Sequence, residues 1–265
     1  MVEKVSELMS KHLITIDKNS PIRNALKLMK KEGISRLLVK SKGEIVGIVT
    51  EKDLMKRLGS EKERKLSDAH IYVSSCYTKD LIKINKDASL KEAARLMLKR
   101  SISSLIVEDE GRIVGILTKT DLIKALEDSS EKVEKWMKRK VTVLKPEARV
   151  LEARKLMIMK NIKRIPIVSG NSLVGIVTER DIAQALGLFR KISEGKHWDE
   201  RLKQIHVEQI MNKDLIVVKP SDTLGKCVKL MLENGISGLP VVEEGKLVGV
   251  ITKTDLIRVL AESTG

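Results

Sequence analysis

The stretch RLLVKSKGEIVGIVTEKDL, residues 36–54, reads in three steps. Two apolar runs flank a polar turn at Lys42-Gly43, the pattern of an antiparallel hairpin. The second run stops at Thr50, and Asp53 follows three places later, the Thr-x-x-acid signature of a helix start. The ending recurs as VGILTKTDL from Val114, VGIVTERDI from Val174 and VGVITKTDL from Val248. Its glycines, Gly47, Gly115, Gly175 and Gly249, are separated by 68, 60 and 74 residues, so one supersecondary unit has been copied.

Working outward, each motif threonine lies 21 residues after a Leu-Met pair ending at Met29, Met97, Met157 or Met231. In the first copy Ile22, Ala25, Leu26 and Met29 follow the i, i+3, i+4, i+7 spacing of a helix that Gly33 stops. Leu224, Cys227, Val228 and Met231 repeat the stripe in the fourth copy, ahead of Gly235. Before each helix stands a β-rich run: LITI from Leu13, LIKI from Leu81, VTVL from Val141 and LIVV from Leu215. The unit is β-α-β-β-α, an α/β (α+β) repeat whose sheet is too small to hide its own apolar face. Copies are therefore expected to pair, sheet against sheet or helix against helix, with repeats at 1–66, 67–130, 131–206 and 207–265.

The copies fall into two kinds. Between the threonine and the aspartate, copies one and three read Glu-Lys and Glu-Arg, and copies two and four read Lys-Thr. Just before the second strand, Arg36 and Arg164 face Ser104 and Gly238 in the other two. Duplication of a two-copy module accounts for this and predicts one pair near residues 1–128 and another near 131–265. The polar segment Gly187 to Gln204 reads as a spacer within the second pair.

With 265 residues, 42% apolar and 33% charged, the chain has material for packed cores and a soluble surface. The opening MVEKVSELMSKH lacks the apolar centre of a signal peptide, and no apolar run approaches a membrane span, so a cytoplasmic protein with no membrane partner is expected. Cys76 and Cys227 show neither zinc nor redox spacing, and the four histidines form no i, i+4 pair, so no metal site is expected. The net charge of +15 attracts polyanions. Cut after residues 66, 132 and 206, the quarters carry 16 basic and 9 acidic residues, 11 and 11, 17 and 8, and 7 and 8, so the excess belongs to copies one and three. No nucleophile-base grouping, Walker loop or Gly-x-Gly-x-x-Gly occurs, which argues against an enzyme.

The Thr-x-x-Asp ending supports two readings. As a capping box it stabilises the helix by about 1 kcal/mol, which alone accounts for four copies. The same helix start also offers free N–H groups and partial positive charge to an anion. A phosphate held by the hydroxyl and a neighbouring arginine leaves the carboxylate to accept from paired sugar hydroxyls.

The first strand, the helix with its Ala and Leu-Met positions, the Gly-Ile-Ser-Arg turn and the Gly-h-h-Thr-x-x-Asp ending (h apolar) together resemble the cystathionine beta-synthase (CBS) domain family. Its tandem pairs are called Bateman modules, and the resemblance covers nearly the whole chain. It implies two Bateman modules able to close into a disc, in an organisation similar to that of the gamma subunits of AMP-activated protein kinases. It also implies that AMP, ADP, ATP or S-adenosylmethionine binds in clefts between paired domains as a regulatory ligand, with no cofactor required. By that analogy Asp53, Asp121, Asp181 and Asp255 hold ribose hydroxyls, and Thr50, Thr118, Thr178 and Thr252 approach phosphate. Arg36 and Arg164 match a phosphate-contacting position. Many ligand-binding members carry a first-strand threonine, and here only Thr15 fits, against Lys83, Val143 and Val217. Site one, with Thr15, Arg36, Thr50 and Asp53, therefore ranks first, and site three, with Arg164, Thr178 and Asp181, second. Sites two and four are expected to stay empty or take a less charged ligand. The sensor would act on a separate, unidentified protein, as a monomer or homodimer.

Nucleic acid is the rival partner, suggested by KWMKRK at 135–140 and KERKL at 62–66. With only five aromatics, Tyr72, Tyr77, Trp136, Phe189 and Trp198, stacking platforms are scarce. Four of the ten methionines lie on the inward helical stripe, which makes them core. The Lys/Glu-rich, aromatic-poor composition fits a heat-adapted source.

Overall fold

The structure is a computed structural model describing residues 3–59, 69–192 and 203–262. A short helix α1 (Val5–Leu8) precedes the first repeat, which runs β1 (Thr15–Asp17), α2 (Ile22–Lys31), β2 (Arg36–Ser41), β3 (Glu44–Thr50) and α3 (Glu51–Leu58). The second runs β4 (Lys83–Asn85), α4 (Leu90–Lys99), β5 (Ser104–Asp109), β6 (Arg112–Thr118) and α5 (Lys119–Leu122), continuing as a 3-10 turn to Leu126. In the third, α6 (Val133–Trp136) leads to α7 (Val150–Lys160), β7 (Arg164–Ser169), β8 (Ser172–Thr178) and α8 (Glu179–Ile192). The fourth has α9 (Leu224–Glu233), β9 (Gly238–Glu243), β10 (Lys246–Thr252) and α10 (Lys253–Glu262).

The hairpins form where the sequence predicts them. Lys42 and Gly43 both adopt positive φ, +51° and +88°, as a tight turn between twisted strands requires. First strands are less uniform. In repeats 1 and 2 they pair in parallel with β2 and β5 over three residues. The expected strands VTVL and LIVV shrink to single bridges, Leu144 to Ile167 and Val218 to Val241. The reason is proline. The N–H groups of Lys18 and Lys86 extend the ladder to Lys40 and Glu108 at 2.9 and 3.0 Å, whereas Pro146 and Pro220 stand at those places and have no N–H to give.

The chain divides into two compact units of alternate repeats. One joins Ile14–Asp80 to Thr142–Leu215, and the other joins Met1–Leu13, Leu81–Val141 and Ile216–Gly265. They are called here the 1/3 unit and the 2/4 unit. In the 1/3 unit the second helices α3 and α8 pack together, burying Leu54, Met55, Leu58, Ile182, Ala183 and Leu186 with the α2 and α7 stripes, Met29 and Met157 included. In the 2/4 unit α4 packs on α10, and Met97, Leu122, Met231, Leu256 and Ile257 share a second core. Guanidinium groups tie the repeats further. Arg154 of α7 donates to the Met55 and Lys56 carbonyls at the end of α3 (3.1 and 2.7 Å), and Arg95 of α4 to Ala261 at the end of α10 (3.2 Å). Helix-mediated cores thus join repeats that are not sequence neighbours, in addition to the consecutive pairing near 1–128 and 131–265 expected from duplication.

Neighbours are linked differently, by exchange of their leading segments. The segment before repeat 1 packs on repeat 2, with Val5 N–H on Ala88 and Ser10 bridged to Ile116. That before repeat 2 packs on repeat 1, with Thr78 bridged to Ile48. Repeats 3 and 4 do the same through the Lys138–Val250 and Asn212–Ile176 bridges. Every motif glycine lies under the exchanged segment of its neighbour. A Cβ on Gly115 would stand 2.7 Å from Met9 Sδ, one on Gly249 2.9 Å from Met137 Sδ, and Gly47 and Gly175 lie under Tyr77 and Met211 in the same way. The glycine of the repeated motif is a close-packing requirement.

The expected spacer after Gly187 begins as structure. Residues 187–192 continue α8, Gly187 is buried against Leu26, and Phe189 packs on the core, because the apolar face of α8 extends past the motif helix. Residues 193–202 of that segment, like KERKL at 62–66 and Trp198, lie outside the described residues.

Candidate functional site

All four Thr-x-x-Asp endings form helix caps. Thr50 Oγ1 and N–H donate to Asp53 Oδ2 at 2.6 and 2.9 Å. The same pair of bonds measures 2.7 and 2.8 Å at Thr118–Asp121 and at Thr178–Asp181, and 2.6 and 3.0 Å at Thr252–Asp255. The cap consumes one carboxylate oxygen, so anything further falls to Oδ1. Asp255 is fully buried and its Oδ1 already takes Lys138 Nζ and Arg258, both at 3.3 Å. Asp121 Oδ1 has Lys124 Nζ at 3.7 Å. Oδ1 of Asp53 and of Asp181 accepts from none of the described residues. Burial raises the Asp181 carboxyl above its ordinary value, while the Thr178 hydroxyl and amide pull it down.

Strand register assembles the rest. Arg36 lies directly opposite Thr50, and Arg164 opposite Thr178, although each pair is 14 residues apart in sequence. Thr15 lies opposite Leu38, two places from Arg36, so Thr15, Arg36 and Thr50 share one face of the sheet. Leu37, Val39 and Val49 point the other way, into the helical core. In the 2/4 unit the same register sets Ser104 opposite Thr118 and Gly238 opposite Thr252, with no cation at the place.

Beside these residues the 1/3 unit carries a charged cluster where its second helices begin. Glu51 and Glu179 are the first residues of α3 and α8. Arg180 binds Glu51 and also donates to the Ile34 carbonyl at 3.3 Å. Its counterpart Lys52 binds Asn161 Oδ1 instead. Glu179 is 5% exposed, and its Oε1 is buried with no hydrogen-bond partner among the described residues. Burial raises both carboxyls, against the pull of Arg180 on Glu51 and of Lys163 on Glu179. Lys163 keeps solvent contact but is crowded by protein, and that desolvation, with the neighbouring Arg36 and Arg164 charges, brings its ammonium down to about 8.

In the 2/4 unit Lys119 and Lys253 take the places of the two glutamates. Each reaches across to the other repeat: Lys119 Nζ donates to Thr254 Oγ1 at 2.9 Å, and Lys253 Nζ to Thr120 Oγ1 at 2.8 Å. The structure therefore brings Thr15, Arg36, Thr50 and Asp53 of site one, and Arg164, Thr178 and Asp181 of site three, into one unit, and places Thr118, Asp121, Thr252 and Asp255 in the other. Sequence reasoning missed Lys163, Glu51 and Glu179. Their signal was visible in the alternation of Glu-Lys and Glu-Arg with Lys-Thr, but it acquires meaning only when repeats 1 and 3 share a core.

Other candidates carry structural roles. Burial pushes both thiols up to about 12, which suits inert core cysteines. Within KWMKRK, Lys135 pairs with Glu131 at 2.9 Å and lies 5.5 Å over the Trp136 ring, and Lys138 pairs with Asp255. Among the described residues there is no metal-competent His/Cys/Asp/Glu group, and no helix is long and apolar enough to cross a membrane.

A repeated β-α-β-β-α unit with a Thr-x-x-Asp cap and exchanged leading segments defines a class of regulatory modules, and the CBS domain family model matches residues 5–60, 73–128, 133–188 and 207–262. The chain belongs to the CBS domain family, as four repeats in two Bateman modules. It is 29% identical to protein MJ1225 of Methanocaldococcus jannaschii over 272 residues, covering 95% of this chain and 96% of that one. The crystal structure of that protein, described as a proposed archaeal homologue of gamma-AMPK, superposes with a TM-score of 0.83 over 97% of this chain and 100% of that one, at 27% identity. A 33.4 kDa protein from a ribosomal RNA operon of Thermofilum pendens is 27% identical over 96% of this chain and 89% of its own.

Proposed function

We propose that this chain is a non-catalytic adenine-nucleotide sensor. AMP, ADP or ATP binds in the 1/3 unit, with S-adenosylmethionine as an alternative ligand, and no cofactor is required. The observation that carries this reading is the register that sets Arg36 and Arg164 opposite the cap threonines, beside aspartates whose Oδ1 is open. In each site the arginine and the helix start would hold phosphate, and Oδ1 of Asp53 or Asp181 would accept from ribose hydroxyls. Thr15 adds a hydroxyl on the same face in repeat 1. Sites in repeats 2 and 4, built on Thr118, Asp121, Thr252 and Asp255, lack the arginine, and Asp255 has its second oxygen engaged. A ligand preferring one arrangement of the repeats would shift its population, and the shift would be relayed to a separate protein. Likeness to a proposed gamma-AMPK homologue supports that division of labour.

Calorimetric titration with ATP, AMP and S-adenosylmethionine tests this. The wild type is expected to bind at least one of them, with Asp53→Ala and Asp181→Ala each removing one site. Indifference to all three would refute the reading. Nucleic acid is favoured instead by binding that collapses steeply with added salt.

A further inference from the structure

Glu51 and Glu179 occupy equivalent places, yet only one is served by the protein. Arg180 crosses to Glu51, while Lys52 stops at Asn161 and leaves Glu179 Oε1 buried and without a hydrogen bond among the described residues. An oxygen in that state costs free energy that a proton or a donor would recover. Among the described residues four charged groups act on it: Lys163 ahead of β7, Arg164 on β7, and Lys52 and Glu51 on α3. Lys163 is crowded in turn by Arg36 and Arg164. The cations that partly compensate Glu179 are thus those an anion would occupy, and carboxylate and anion compete for them.

We propose that Glu179 takes up a proton when an anion binds at Arg36, Lys163 and Arg164, so that Glu179 sets both the pH dependence and the charge preference of the 1/3 unit. This rests on that unit being the phosphate-binding one. The sign follows from electrostatics. Burial already holds Glu179 above its ordinary value, and an arriving anion adds a second negative charge while drawing away the cations that lowered it. Lys163, depressed to about 8, shifts in the same direction and takes its own proton under more alkaline conditions.

The test is titration of the full chain with inorganic tripolyphosphate and with ATP, in buffers of different ionisation enthalpy, between about pH 6 and pH 8. Wild type is expected to absorb protons on binding and to bind more tightly as pH falls, by up to about tenfold per pH unit for one coupled proton. Glu179→Gln should bind tripolyphosphate at least about fivefold more tightly at the upper end of that range and lose the acid-side proton uptake. Lys163→Arg should lose only the alkaline component. Glu51→Gln makes the same charge change at the equivalent place, where Arg180 already compensates, and should keep the uptake. Binding without proton uptake in wild type, or equal behaviour of the two glutamine variants, overturns the proposal and leaves nucleotide binding standing. Tripolyphosphate bound with Glu179-dependent uptake, but no gain from adenosine, supports the proposal and overturns the nucleotide reading. Failure of both titrants to bind overturns both.

Discussion

Where the second helices begin, the 1/3 unit places Glu51 and Glu179 and the 2/4 unit places Lys119 and Lys253. Backbone and register are the same in both. Acids at a helix start agree with its dipole, and lysines oppose it. The lysines are nonetheless accommodated, each by a threonine hydroxyl of the opposite repeat. Among the described residues, Lys52, Lys163, Arg164, Arg180 and Arg36 act electrostatically on one or other of the two acids. One unit joins its two helix starts by lysine–threonine bonds, and the other sets cations beside a pair of buried acids. That difference in charge, rather than the shared cap, is what the proposed binding role of the 1/3 unit rests on.

The strongest challenge to this contrast is to make the units alike. Glu51→Lys with Glu179→Lys removes the partner of Arg180 and adds two cations to the cluster, and should cost about 3–5 kcal/mol in urea unfolding. Unchanged stability would show that the positions are interchangeable. Next in size, Arg36→Ala or Arg164→Ala should weaken ATP binding about 10- to 100-fold per site by calorimetry, as loss of a charge-assisted contact does, whereas Ser104→Ala should leave it unchanged.

The pH dependence of stability is a third test. A carboxyl raised in the folded state costs nothing while both states are protonated, and its penalty grows as pH rises above the ordinary value of 4.5. Glu179→Gln should therefore match wild type under acid conditions and exceed it in melting temperature at neutral pH. For Lys163 the folded state resists protonation, so Lys163→Met should gain on wild type as pH falls from 10.5 towards about 8. The smallest effect belongs to the 2/4 unit: Thr120→Ala or Thr254→Ala should cost about 0.5–1.5 kcal/mol each by thermal unfolding.

Much of this was legible from local rules. The hairpin at Lys42-Gly43, the stop at Gly33 and the cap at Thr50 are each dictated by residues within a few places of one another, and all three appear as read. Even the shortened first strands were written in Pro146 and Pro220. The contacts of repeat 1 with 3 and of repeat 2 with 4 were not legible, because they depend on which helix faces pack across long separations. The likeness of repeats 1 and 3 was read as descent from a two-copy module, and in the folded chain the two repeats also share a core. For the same reason nothing local in the sequence singles out Glu179, whose setting depends on Lys52 ending on Asn161.

The exchanged leading segments bear on inheritance. A gene cut between repeats 1 and 2, or between repeats 3 and 4, would leave each fragment with a bare glycine and an orphaned cover, Tyr77 without Gly47 or Met9 without Gly115. The smallest piece that natural recombination can add or delete intact is therefore a consecutive couple, and descendants of such a chain should gain or lose repeats in even numbers.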